Sequence, residues 1–180
     1  LMDKEPIIIV GGEPNSIFLE IFFKSLKTNI YKSPLIIIVS KRLLQEQMKK
    51  LGFNFKINDI NKKIKDFSRL NNSKINLINI DYNFKKCFEK ITNKSNKYIG
   101  ETFRVALNII KLNNLSKFIN GPVSKKYFLK GKSLGITEYL AKKVKTNEVA
   151  MLIFNKNLSV SPLTTHLALK NVHKKITKQK

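Results

Sequence analysis

Two short apolar runs, "PIIIV" (6–10) and "PLIIIVS" (34–40), constrain this chain more than anything else in it. Each has strand length and lacks alternation between polar and apolar positions. Such runs belong to strands buried on both faces, as in a parallel sheet covered by helices. Helical periods follow both. After the first run, a turn at Gly11-Gly12 leads to a helix from about Asn15 or Ser16 to Lys27, with Ile17, Ile21 and either Phe18 or Phe22 on its apolar side. Pro14 falls near the first helical position. After the second, Ser40 caps a helix through "KRLLQEQMKKL", where Leu44, Met48 and Leu51 share a face and Gly52 supplies the stop.

Further along, "FNFKI" (53–57) alternates like a half-exposed strand, and "KINLINI" (74–80) reads as another strand. "KYIGETFRVALNIIKLN" (97–113) has the strongest helical pattern, with Phe103, Ala106, Leu107 and Ile110 on one side. "KFIN" (117–120) is a short strand running into "GPVSK", and "TEYLAKKVK" (137–145) is a helix. Paired buried strands are expected within 148–160, and a final helix after His166. Strands alternating with helices predict an α/β fold in three layers, α/β/α. The C-terminal "HKKITKQK" (173–180) ends in a helical pattern with no cap, and the chain reads as truncated.

At 180 residues and 42% hydrophobic, the chain can bury one sizeable core with room for a second small lobe. Its apolar runs fall far short of the roughly 20 residues that span a bilayer. The opening "LMDKEP" lacks the pattern of a signal peptide. Cys87 is the lone cysteine, which excludes an internal disulfide framework and a thiolate cluster. A soluble, cytoplasmic protein without a membrane partner is the expectation. The net charge of +23 admits two explanations, a nucleic-acid surface or a coding bias toward Lys, Asn and Ile. Bias is favoured. Only Arg42, Arg69 and Arg104 among the 35 basic residues carry the guanidinium fork that base readout prefers, and the lysines are scattered. Nucleic acid is therefore not the expected partner.

Ligands of open α/β sheets bind beyond the carboxyl ends of the strands. Three segments have that address. "GGEPNS" (11–16) resembles a phosphate loop but lacks GxGxxG spacing and GK[ST], and reads better as a tight turn into a helix. "NGPVSKK" (120–126) places Lys125 after a Gly-Pro turn, as an anion or proton-transfer group or as a solvated lysine. "GITE" (135–138) sets Thr137 at a helix start, where it can hold an anionic group or act as an ordinary cap. "TTH" (164–166) supplies His166, one metal ligand where three protein ligands are usual. His173 is expected on an exposed surface.

Four segments in register, "GEPNSIFLE" (12–20), "GPVSK" (121–125), "GITE" (135–138) and "TTHLAL" (164–169), resemble the N-terminal part of the 4-hydroxythreonine-4-phosphate dehydrogenase family. The resemblance runs along nearly the whole chain. It implies a fold similar to the isocitrate and isopropylmalate dehydrogenases, two α/β lobes with a cleft between them, in a homodimer. It divides this chain at 1–120, the N-terminal lobe, and 121–180, the incomplete start of the second. It implies NAD- or NADP-dependent oxidation and decarboxylation of 4-phosphohydroxy-L-threonine in pyridoxal 5'-phosphate biosynthesis. The divalent metal (Zn, Mg or Co) would be held by His166, the substrate by Thr137, with Lys125 as a catalytic group.

The remaining metal ligands, the phosphate-binding residues and the NAD-binding segment are implied to lie downstream of Lys180. The isolated chain is therefore expected to be inactive. Ile136 replaces a substrate-binding histidine of the family, and Asn15, Ser16, Ile17 and Phe18 replace the small residues of its first loop. These departures keep two other readings open. One is a dehydrogenase of another 4-phosphorylated hydroxy acid, such as a threonate or erythronate phosphate; the other is a noncatalytic basic homologue that binds nucleic acid.

Overall fold

A computed structural model of the chain describes residues 4–28, 30–131, 133–146, 149–164 and 167–176. The chain divides into two compact units, Leu1–Ile136 and Thr137–Lys180. The first holds strands β1 (Ile7–Val10), β2 (Leu35–Val39), β3 (Ile57–Asp59), β4 (Ile75–Asn79) and β5 (Phe118–Asn120). They form one sheet in the order β3-β4-β2-β1-β5, and every adjacent pair is parallel.

Both faces of the sheet are covered. On one side Ile9, Ile37, Val39 and Leu77 share a core with helix α1 (Phe18–Thr28) and helix α2 (Lys41–Lys50). On the other, helix α3 (Asn96–Asn113) packs against β1 and β2, where Ile8, Ile36 and Ile38 are fully buried. This is the three-layer α/β/α arrangement that the uninterrupted apolar runs demand. Each fully buried side chain of this size contributes about 1.5–3 kcal/mol relative to exposure.

Ser40 caps α2 as expected, its Oγ accepting from Leu43 N at 3.3 Å, and Gly52 follows at φ 72°. Helix α1 turns a different face inward from the one predicted. Ile17 and Ile21 are 66% and 53% exposed, while Leu19, Phe22 and Phe23 are buried. Leu19, Phe22, Phe23 and the partly buried Leu26 form a complete i, i+3, i+4, i+7 stripe, which buries two aromatic rings in place of one. The helix starts at Phe18, so Pro14 belongs to the preceding turn rather than to the first helical position. In α3, Phe103 and Ala106 are buried as expected, whereas Leu107 and Ile110 are only partly so, and Ile99, Val105 and Ile109 fill the contact instead.

Only Ile57 of "FNFKI" is in a strand. Phe53 and Phe55 come off the end of α2 and pack against Phe23 at ring-centroid distances of 5.3 and 6.2 Å.

The second unit departs further from expectation. It is built from α4 (Ile136–Val144) and a following stretch in which a single antiparallel bridge pairs Ile153 with Val160. The described residues of 149–160 are exposed rather than buried strands, Phe154 by 73%. The helix expected after His166 is replaced, among the described residues, by two single 3-10 turns, Leu169–Asn171 and His173–Lys175. Lys170, Asn171, Lys174 and Lys175 leave that sequence too polar to build an apolar stripe. Among the described residues no helix is long and apolar enough to cross a membrane.

Candidate active-site loops at the carboxyl edge of the sheet

β1 and β5 are neighbours, with Val10 opposite Asn120, so the loops leaving them emerge side by side. From β1 the chain passes to α1 and β2 on one side, while β5 lies on the other. Such a reversal of strand order opens the crevice where α/β sheets bind ligands.

The two loops interlock through their backbones. Gly121 N donates to Val10 O at 2.7 Å, and Glu13 N donates to Pro122 O at 2.8 Å. Gly12 sits at φ 70°, and a Cβ there would overlap the Pro122 carbonyl oxygen. A Cβ on Gly121 would overlap the carbonyl oxygen of Gly11. The close backbone approach in this loop is thus of chain against chain, and it fixes "GGEP" relative to "GPVSK". The bulkier residues that follow are used for local structure. Asn15 Oδ1 accepts from Glu89 N at 3.2 Å, and Ser16 Oγ accepts from Phe18 N at 3.3 Å where α1 begins.

Beneath the interlock lies a buried polar cluster that sequence reading passed over. Glu13 is 3% exposed; its Oε2 accepts from Ser95 Oγ at 3.0 Å and its Oε1 from Asn15 N at 3.4 Å. Burial pushes its carboxyl above the usual carboxylate range, with those two hydrogen bonds pulling the other way. Gln47, fully buried, donates from Nε2 to Pro14 O at 2.8 Å, and its Oε1 has no hydrogen-bond partner among the described residues.

Tyr98 accepts from Ser40 N at 3.0 Å and packs on Tyr82 with ring centroids 4.6 Å apart. Burial raises both phenols. A cavity of about 10 Å³ lies among Gly11, Gly12, Glu13, Pro14, Leu43 and Tyr98, room for about one water. The signal for Gln47 was present in the sequence: it lies three residues past Leu44 and four past Leu43, a polar group on an apolar stripe.

Lys125 is exposed, at the start of one π-helical turn. Ser124 Oγ accepts from Tyr127 N at 3.2 Å, Lys130 N donates to Lys125 O at 3.0 Å, and Asn96 Nδ2 ties Tyr127 O to the start of α3 at 2.8 Å. Its ammonium group therefore stands on a braced turn beside the interlocked loops. Thr137 is partly buried in the first turn of α4 and belongs to the second unit. His166 and Thr165 lie outside the described residues; His173 is exposed, as expected. Among the described residues, no group of three or more His, Cys, Asp or Glu is placed to hold a metal ion.

Known proteins carry the same fold over the same stretch. A 4-hydroxythreonine-4-phosphate dehydrogenase structure from Burkholderia phymatum superposes with a TM-score of 0.80 at 22% identity, covering 96% of this chain and 53% of that one. The corresponding Klebsiella pneumoniae structure gives 0.79 at 18% identity, with 98% and 54% covered. Among curated sequences, the 4-hydroxythreonine-4-phosphate dehydrogenase of Sulfurihydrogenibium sp. (strain YO3AOP1) is 31% identical over 180 residues, 97% of this chain and 53% of that protein. The protein of that name from Colwellia psychrerythraea (strain 34H / ATCC BAA-681) is 28% identical over 174 residues, 95% and 52%. The chain spans about half the length of the curated relatives it matches. The sequence model described as pyridoxal phosphate biosynthetic protein PdxA matches residues 31–180, and the chain accordingly belongs to the PdxA family.

Proposed function

We propose that this chain is the N-terminal part of an NAD- or NADP-dependent, metal-dependent dehydrogenase that oxidises and decarboxylates 4-phosphohydroxy-L-threonine on the route to pyridoxal 5'-phosphate. The observation that carries the reading is the family match over residues 31–180. The interlocked loops at the carboxyl edge of the sheet support it, because they form a rigid crevice wall at the usual ligand address of this architecture. The substrate's secondary alcohol gives up hydride and a proton to form a β-keto acid, which then loses carbon dioxide. Bound NAD would accept the hydride, and a divalent ion would polarise the alcohol.

The described residues do not bring three metal ligands together. His166 is proposed as one ligand, with its partners and the NAD-binding segment contributed downstream. Lys125 would attract the anionic substrate from its exposed position, and the Thr137 hydroxyl would hydrogen-bond to it. The proposed assembly is a homodimer, which the exposed apolar residues Met151, Leu152, Ile153 and Phe154 support, and its proposed location is the cytoplasm.

The test is NADH formation by the full-length gene product with 4-phosphohydroxy-L-threonine, NAD and Zn, Mg or Co. Loss of a group that only orients a metal ligand costs about 10–100-fold, so removing a ligand itself, in His166→Ala, should lower the rate at least about a hundredfold. Full activity in that variant would remove His166 from the site. The 180-residue chain alone should turn nothing over, and NADH production by it would overturn the assignment of essential residues downstream. Ile136, at the head of α4 where the resemblance implies a substrate-binding histidine, supports a second reading, a dehydrogenase of another 4-phosphorylated hydroxy acid. Preferential oxidation of a threonate or erythronate phosphate would establish that reading instead.

A further inference from the structure

The amino-terminal edge of the sheet, opposite the interlocked loops, holds a cleft of about 590 Å³. Pro6 and Pro34, which immediately precede β1 and β2, form part of its wall, and Phe67 and Leu70 from the β3–β4 connection form another. Lys4, Lys32 and Lys65 stand around it. The volume falls within the roughly 300–1,000 Å³ typical of small-molecule sites.

Two carboxylates, Glu5 and Asp66, line the cleft beside the three lysines. Its two carboxylates are already engaged. Glu5 accepts from Ser116 N and from Ser116 Oγ (2.8 Å), with Lys117 Nζ 3.9 Å away. Asp66 Oδ1 accepts from Ser68 N at 2.9 Å, and Arg69 lies close enough to favour its charge. Hydrogen bonds from Ser116 and Ser68 hold both carboxyls below their ordinary range, so both are anionic at neutral pH. The three lysines, by contrast, have no ion-pair partner among the described residues.

The rim is also braced. Asn72 Nδ2 donates to Tyr31 O at 3.0 Å and Ser33 O at 2.8 Å, clamping the backbone on either side of Lys32, while its Oδ1 accepts from Leu35 N at 2.9 Å. Asn113 Nδ2 donates to the carbonyl of Ile64, next to Lys65, at 3.2 Å. Unpaired cations on a pre-organised rim reduce the ordering cost of binding an anion.

We propose that this cleft is a second ligand site, for a nucleoside polyphosphate. Polyphosphate oxygens match the three ammonium groups, none of which has an ion-pair partner among the described residues, and a planar base matches the Phe67, Pro6 and Pro34 walls. A bare inorganic anion would leave those walls unused, and a neutral apolar ligand would leave the lysines unanswered. The inference does not rest on the dehydrogenase reading.

The test titrates the 180-residue chain with ATP, inorganic tripolyphosphate and adenosine by isothermal calorimetry at physiological salt, where diffuse attraction to a +23 chain is screened. ATP should bind most tightly. The triple variant Lys4→Gln, Lys32→Gln, Lys65→Gln should weaken ATP at least about tenfold, and Phe67→Ala should weaken ATP while leaving tripolyphosphate unchanged. A control triple of exposed lysines elsewhere, Lys85→Gln, Lys86→Gln, Lys90→Gln, should leave ATP binding intact. Equal losses in the two triples would reduce the effect to net charge and overturn the site. Equal affinity for ATP and tripolyphosphate would overturn the nucleotide assignment, and no ATP binding would overturn the proposal outright.

Discussion

A carboxyl group withdrawn from water keeps its proton to higher pH, and Glu13 is withdrawn by the same glycine interlock that joins the two motif loops. The hydrogen bonds from Ser95 Oγ and Asn15 N pull the other way without cancelling the effect of burial. The folded-state value lies above the unfolded reference of 4.5. The stability linked to this group is therefore fully present below that reference and is lost as pH rises through the folded value. Glu13→Gln keeps an oxygen for Ser95 Oγ and removes the ionisation. The variant should match the wild type below pH 4.5 and become progressively more stable than it toward neutral pH, as read from paired urea unfolding curves. A difference between the two proteins that stays constant with pH would show that Glu13 does not titrate differently on folding. The sequence offered little warning of this residue: "GGEP" displays its glycines and proline, and nothing in the spacing tells that a strand far downstream closes over the acid.

At the scale of elements, α1 and the residue before it carry apolar residues at 17, 18, 19, 21, 22, 23 and 26, enough to write two plausible stripes a residue apart. The sheet selects one of them. Phe23 is fully buried and touches Phe53 and Phe55, whereas Ile21 is more than half exposed. Phe23→Ala should cost about 3–5 kcal/mol and Ile21→Ala no more than about 0.5 kcal/mol in urea unfolding. Comparable losses from both would return the helix to the other phase. This is also where legibility ends. β1 and β2 could be read directly, since an uninterrupted apolar run has no phase to mistake, and β4 was legible as a strand although Asn76 and Asn79 interrupt it. Helix α2 was readable because Ser40 and Gly52 mark both of its ends. Helical phase, and the burial of "EVAMLIFNKNLSV", depend on what packs against a segment, which local composition does not record. The same holds for the candidate site: the glycine loops and Lys125 were visible as motifs, while Ser95 and Tyr98 reach it only through the crossover that brings α3 beside β1.

Over the whole molecule, the protection of a segment follows from how its backbone bonds are shielded. In Leu1–Ile136 the strands β1, β2 and β4 are bonded to neighbours and covered by buried side chains. In Thr137–Lys180 the stretch around the bridge has two cross-strand bonds, Ile153 N to Val160 O at 2.8 Å and Val160 N to Ile153 O at 2.9 Å, both between residues that are exposed. Local opening there releases few buried contacts, so its free energy should lie far below that of the sheet. Amide hydrogen exchange at low protein concentration should accordingly show 149–160 exchanging orders of magnitude faster than β2. Raising the concentration distinguishes two causes of any protection. If the apolar side chains of Met151, Leu152, Ile153 and Phe154 meet a second copy, their amides should slow as the protein concentration rises while those of β2 stay unchanged. Protection of 149–160 equal to that of β2 at the lowest concentration would mean that these residues are packed within the single chain and that the bridge is buried.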